Sequence, residues 1–153
     1  MKHSLTFLLW TLCASIALAE PIDSQEAATA LVRRQLLEPL KKSESRRSRF
    51  SRTAPVAFER RVRVIDAQAQ TDARGHSFVR FAVDARRASR ETSWSKAVLT
   101  GCAYPADDKV FVSQGDDYLP ASALLGDDAD PVKEVCRAAP GDRAQVASAK
   151  RWP

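Results

Sequence analysis

Apolar positions change their spacing from one stretch of this chain to the next. From Leu5 to Leu18 they are nearly continuous, broken only by Thr6, Thr11 and Ser15. Between Ala28 and Leu36 they recur at helical spacing: Ala28, Leu31, Val32 and Leu36 share one face, with Arg33 and Arg34 toward the other. This pattern predicts a helix over Ser24 to Leu37. An Asp23/Glu26 capping box would open it, and Pro39 would stop it, because the residue before proline avoids helical geometry. Periodicity then disappears across 43–54, a Ser/Arg-rich segment with Phe50 as its one apolar anchor, which reads as a mobile loop.

A period of two follows. Val56, Phe58, Val62 and Val64 alternate with Ala57, Glu59, Arg61 and Arg63, and Arg60 interrupts the apolar face. After a turn at Asp72, Arg74 and Gly75, a second strand alternates Val79, Phe81 and Val83 with Phe78, Arg80 and Asp84. A charged turn over 86–92 leads to a third strand, Trp94 to Tyr104, with Val98 and Leu99 facing inward. Pro105 to Asp108 is a turn signal, and Val110 to Val112 a short fourth strand. Pro120 to Gly126 reads as a short helical piece closed by glycine, and Pro131 to Ala139 as a second one carrying Cys136. Residues 141–153 read as a loose tail. The expected fold is α+β: an N-terminal helix packed on a four-stranded antiparallel meander, with short C-terminal helical segments stapled by a disulfide. Helix-then-meander order resembles cystatin-like and NTF2-like rolls in topology alone. The Gln-x-Val-x-Gly hairpin of cystatins is absent, and no family follows from the resemblance.

The first apolar run has a compartmental meaning. Lys2 precedes it and Ala17-Leu18-Ala19 ends it with small residues at both cleavage-site positions, the form of a secretory signal peptide over 1–19. The run is shorter than the roughly 20 residues that span a bilayer, and no later segment is apolar enough to cross one. Cleavage leaves 134 residues, one domain's worth, in a periplasm or the medium. Export leaves Cys102 and Cys136 as the remaining cysteines, which are expected to form a disulfide.

The net charge of +5 is unevenly spread: Arg33 to Arg90 holds 16 basic and six acidic residues, Glu91 to Pro153 seven basic and ten acidic. A cationic face over 43–63, with Arg46, Arg47, Arg49, Arg52, Arg60, Arg61 and Arg63 as ligand-binding candidates, would suit a polyanion such as nucleic acid or lipopolysaccharide.

Catalytic chemistry is sparse. His76 is the one histidine of the exported chain, which removes two-histidine mechanisms, and paired cysteines supply no nucleophile. There is no nucleophile elbow, phosphate-cradling glycine loop or dinucleotide fingerprint. The acidic groups Asp107-Asp108, Asp116-Asp117 and Asp127-Asp128-x-Asp130 match no calcium loop and read as turns; no metal or cofactor is expected. One acid–base set survives: Glu59, His76 and Arg80 on neighbouring strands, similar in residue type to the kit of small secreted ribonucleases. The leading expectation is a non-enzymatic module of a bacterial envelope that contacts an envelope or secreted protein partner through the open face or edge of its sheet. Polyanion binding and phosphodiester hydrolysis are the alternatives. Oligomeric state is not legible.

Overall fold

The computed structural model describes residues 21–50 and 56–140. The signal peptide expected over 1–19, Arg52 and the tail expected over 141–153 lie outside the described residues, as does the side chain of Arg49.

The first described segment is one continuous helical run: α1 (Pro21–Val32), a five-residue π-turn (Arg33–Leu37) and α2 (Glu38–Phe50). Two expectations are corrected here. Pro39 does not stop the helix, and residues 43–50 are helical rather than a loop. The π-turn explains the first. In it the Glu38 N–H bonds to the Arg33 carbonyl, five residues back. This wider turn sits directly ahead of Pro39, where an ordinary turn would press the proline ring against the carbonyl of Gln35. The helix then proceeds with no donor wasted, since Pro39 has no N–H to place. Asp23 lies within α1 instead of ahead of it, so the expected capping box does not open the helix.

Six strands follow among the described residues: β1 (Phe58–Val64), β2 (Gln70–Thr71), β3 (Ser77–Arg87), β4 (Leu99–Tyr104), β5 (Lys109–Gln114) and β6 (Asp117–Pro120). They form one antiparallel sheet in the order β1-β3-β4-β5-β6, with β2 also paired to β3. The fold is therefore α+β, with two more strands than the sequence pattern predicts. The expected third strand is shorter than read: Trp94 to Val98 form a loop, and Val98 is 52% exposed.

The core lies in two layers because β3 is buried on both faces. On one face Val79, Phe81 and Val83 pack with Ala28, Leu31, Val32 and Leu36 of the helical run, the apolar stripe that the sequence displays. On the other, Phe78, Cys102 and Tyr104 pack with Val135 and Cys136. Gly101 is required where β4 meets β5, because a Cβ there would lie 2.1 Å from the Phe111 carbonyl oxygen. The helical piece expected at Pro120 to Gly126 is a 3₁₀ helix, Ala121–Leu125, closed by Gly126 at φ 107°.

The stretch from Pro131 to Ala139 is not the helix expected from Pro131. It runs across the second face of the sheet from one edge to the other. At the β6 edge Val132 and Tyr118 exchange backbone bonds of 2.7 and 3.1 Å; at the β2 edge the Ala139 N–H donates to the Thr71 carbonyl at 2.8 Å. Between them the Cys102–Cys136 disulfide, with Cα atoms 5.7 Å apart, pins the crossing to β4. Cys136 takes a left-handed φ of 60° there. A helix of this length is marginal alone, whereas edge pairing and the covalent staple are tertiary gains, so the extended crossing prevails.

Candidate functional site

β1 is an edge strand, and its register defines which backbone groups are free. The Ala88 N–H bonds to the Ala57 carbonyl at 3.0 Å, and the Ile65 N–H to the Arg80 carbonyl at 2.9 Å. In an antiparallel ladder bonded pairs alternate, so the odd-numbered positions of β1 bond to β3. The N–H and C=O groups of Phe58, Arg60, Val62 and Val64 therefore point away from the sheet. No strand pairs with them among the described residues. The other edges are treated differently: the C-terminal crossing occupies Thr71 on β2 and Tyr118 on β6.

Beside this open edge lies a groove of about 880 Å³ between α2 and β1. Leu37, Lys41 and Arg47 line it from the helix, and Val56, Phe58 and Arg60 from the strand. Val56 and Phe58 are 51% and 45% exposed, large apolar groups left in water at the groove's mouth. Arg60 explains its own interruption of the apolar pattern. Its side chain reaches across to Glu44 of α2 with both terminal nitrogens, one bond being 3.0 Å, and lies 5.7 Å over the Phe58 ring.

The opposite face of β1 carries a charge network. Arg61 sits directly across from Asp84, and Glu59 across from Arg86. Arg61 and Arg63 both donate to Asp84, at 3.3 and 3.2 Å, so two guanidiniums share one buried carboxylate. The Arg63 hydrogen bond leads the effects that hold the Asp84 carboxyl below its usual range, against the cost of its burial. Arg86 donates to Glu59 at 2.6 Å, and Arg61 and Arg86 stand 4.5 and 4.7 Å from the Trp94 ring. These stacks dock the 88–98 loop on the sheet.

The basic segment expected as a polyanion site is thus two populations. Arg60, Arg61 and Arg63 are engaged by carboxylates. Arg46, Arg47, Lys41 and Lys42 are exposed on α2 and Arg33 on the π-turn before it, and none of these five has a carboxylate partner among the described residues.

The acid–base set does not assemble. Glu59 pairs with Arg86 near the end of β3, whereas His76 precedes its first residue. Ten residues of extended chain separate them, roughly 30 Å at about 3.3 Å per residue. His76 instead places Nδ1 2.6 Å from the Asp107 carboxylate, and Arg80 faces Asp66 at 3.9 Å. Burial raises the Asp66 carboxyl above its usual range, partly countered by Arg80.

A residue that the sequence reading passed over as part of a turn, Asp72, organises the other end of the sheet. Its side chain is fully buried and accepts from the Arg74 and His76 amides at 2.9 Å each, and from the Arg74 guanidinium and the Tyr104 hydroxyl at 3.2 Å each. Tyr104 in turn accepts the Cys136 N–H at 2.9 Å. Burial opposes ionisation of Asp72, but these bonds outweigh it and lower its pKa.

No cluster of metal-ligating side chains occurs among the described residues, and no helix among them is long and apolar enough to cross a membrane. No family model, curated protein or solved structure matches the chain.

Proposed function

We propose that this chain is a small exported, non-enzymatic binding module that takes up an extended segment of a protein partner along β1. The observation that supports this most directly is the unequal treatment of the sheet edges. The chain covers β2 and β6 with its own C-terminal crossing, yet leaves the outward N–H and C=O groups of Phe58, Arg60, Val62 and Val64 beside a groove with exposed apolar groups. Strand addition takes affinity from such main-chain groups and specificity from adjoining pockets. The separation of Glu59 from His76 weighs against the Glu59/His76/Arg80 set as a catalytic site.

A second reading, polyanion binding, draws on the five uncompensated cations Arg33, Lys41, Lys42, Arg46 and Arg47. It predicts affinity that falls steeply with salt.

The test is capture from native envelope extract on the chain lacking residues 1–19, with Val62→Pro beside wild type. Proline at 62 removes an outward donor, a position where edge strands tolerate it, and leaves the β3 ladder intact. A stoichiometric protein held by wild type and released by a folded Val62→Pro variant supports the proposal. Equal retention by both places the contact elsewhere, and nucleic acid or lipopolysaccharide lost as salt rises supports the second reading.

A further inference from the structure

Resting on the strand-addition reading, the geometry points to the chemistry of the segment that β1 accepts: we infer that it alternates acidic and apolar residues and belongs to a different protein, not to a second copy of this chain. Side chains of an added strand alternate between the two faces of the sheet. On the face away from the helix they would stand beside Arg61 and Arg63, half-exposed guanidiniums that share the single carboxylate of Asp84. That leaves one positive charge uncompensated at the strand's rim, so acidic side chains fit at this parity. On the helix face the added residues meet Phe58, Val62 and Val64, with Val56 beyond and Arg60 held to Glu44 between them, so apolar side chains fit there. The groove on this same side is lined by Arg33, Lys41, Arg47 and Arg60 and by Glu38, Glu44 and Glu59, a small excess of positive charge.

The same charges argue against self-pairing. Two β1 strands laid edge to edge would bring together three arginines, Arg60, Arg61 and Arg63, from each copy against one acid, Glu59, on each. Like charges directly across a ladder destabilise it, and charged edge strands are how sheets resist self-association. The arginines therefore bar a second copy while admitting an acidic strand.

The probes are three fluorescent decapeptides in which Val alternates with Glu, Gln or Lys, titrated by anisotropy against the chain lacking residues 1–19. The Glu peptide is expected to bind at least about tenfold tighter than the Lys peptide, with the gap closing in about 0.5 M salt. Arg63→Gln and, separately, Lys41→Glu should each narrow that gap, and Val62→Pro should abolish binding of every peptide. Glu and Lys peptides that bind equally, both blocked by Val62→Pro, would overturn the acidic assignment and leave strand addition standing. Binding indifferent to Val62→Pro, or no binding of any peptide up to about millimolar concentration, would overturn strand addition itself. A concentration-dependent dimer in sedimentation that Val62→Pro abolishes would make a second copy the occupant and refute the inference.

Discussion

Asp72→Asn isolates the contribution of one buried carboxylate. The side chain is inaccessible to solvent and accepts four hydrogen bonds, two from backbone amides on Oδ1 and two from Arg74 and Tyr104 on Oδ2. Asparagine keeps an oxygen for the two amides. Its NH₂, however, turns donors toward the Arg74 guanidinium, which can only donate. It also forces a rearrangement at Tyr104, whose oxygen already accepts the Cys136 N–H. Losing the Arg74 bond, weakened by its partial exposure, together with the Tyr104 bond to the carboxylate comes to about 2–3 kcal/mol. For a domain of this size that is a fall in Tm of roughly 8–10 °C. The pH dependence adds a second readout. The folded pKa of Asp72 is lowered, so its contribution is fully present above the unfolded carboxylate value near about 4 and is lost as pH falls through the folded value. Urea titrations from neutral pH into that acid range should show a shallower acid loss in Asp72→Asn than in wild type. Part of the slope remains, since Asp84 is lowered as well. A variant within about 2 °C of wild type, with an unchanged acid slope, would show that the four bonds do not hold this end of the sheet.

Replacing Cys102 and Cys136 together by serine reopens a closed loop of sequence separation 34 and should cost roughly 3–4 kcal/mol in the chain-entropy model, read as a lower denaturant midpoint. Since the crossing covers both the β2 and β6 edges, light scattering of the double variant should also rise on mild heating. Gly101→Ala puts a Cβ 2.1 Å from the Phe111 carbonyl oxygen, a backbone atom that cannot step aside, and should lower stability by about 3 kcal/mol or more in thermal unfolding. Asp66→Asn removes a carboxylate that has a buried, unbonded oxygen and a raised pKa. A raised acid contributes stability at low pH that is lost as pH rises through its folded value, so this variant should be unchanged or more stable at neutral pH and lose stability more steeply in acid.

The parts of the fold legible in the sequence are those where one physical pattern dominates locally. Ala28, Leu31, Val32 and Leu36 sit at helical spacing and do form the helix face of the core. Val79, Phe81 and Val83 alternate and lie beneath them. Two distant cysteines in an expected exported chain do pair. Errors arise where a local rule meets a non-local gain. Pro39 breaks an ordinary helix, but the rule assumes four-residue bonding, and a single π-turn removes that assumption. The 43–50 segment has no apolar period because α2 buries little of itself; a polar surface helix has no stripe to display. Pro131 resembles a helix start, yet the residues after it are used as a strap.

Arg60 shows how a residue's partner can lie beyond what the sequence displays. A charge at a core-facing position of an alternating strand signals either a broken strand or a partner across the sheet, and the sequence does not contain the distance to Glu44 that decides between them. Grouping Arg46, Arg47, Arg49, Arg52, Arg60, Arg61 and Arg63 as one cationic patch follows from their proximity in the chain, but pairing is a three-dimensional property. Once Glu44 and Asp84 are placed, Arg60 has its own carboxylate and Arg61 and Arg63 share one, whereas Arg46 and Arg47 on α2 have no carboxylate partner among the described residues. The open edge itself follows from the strap. If residues 131–139 were helical, as their proline suggests, Thr71 and Tyr118 would be as open as β1, and no one edge would be singled out. What singles out the β1 edge is thus the segment that pairs with the other two edges.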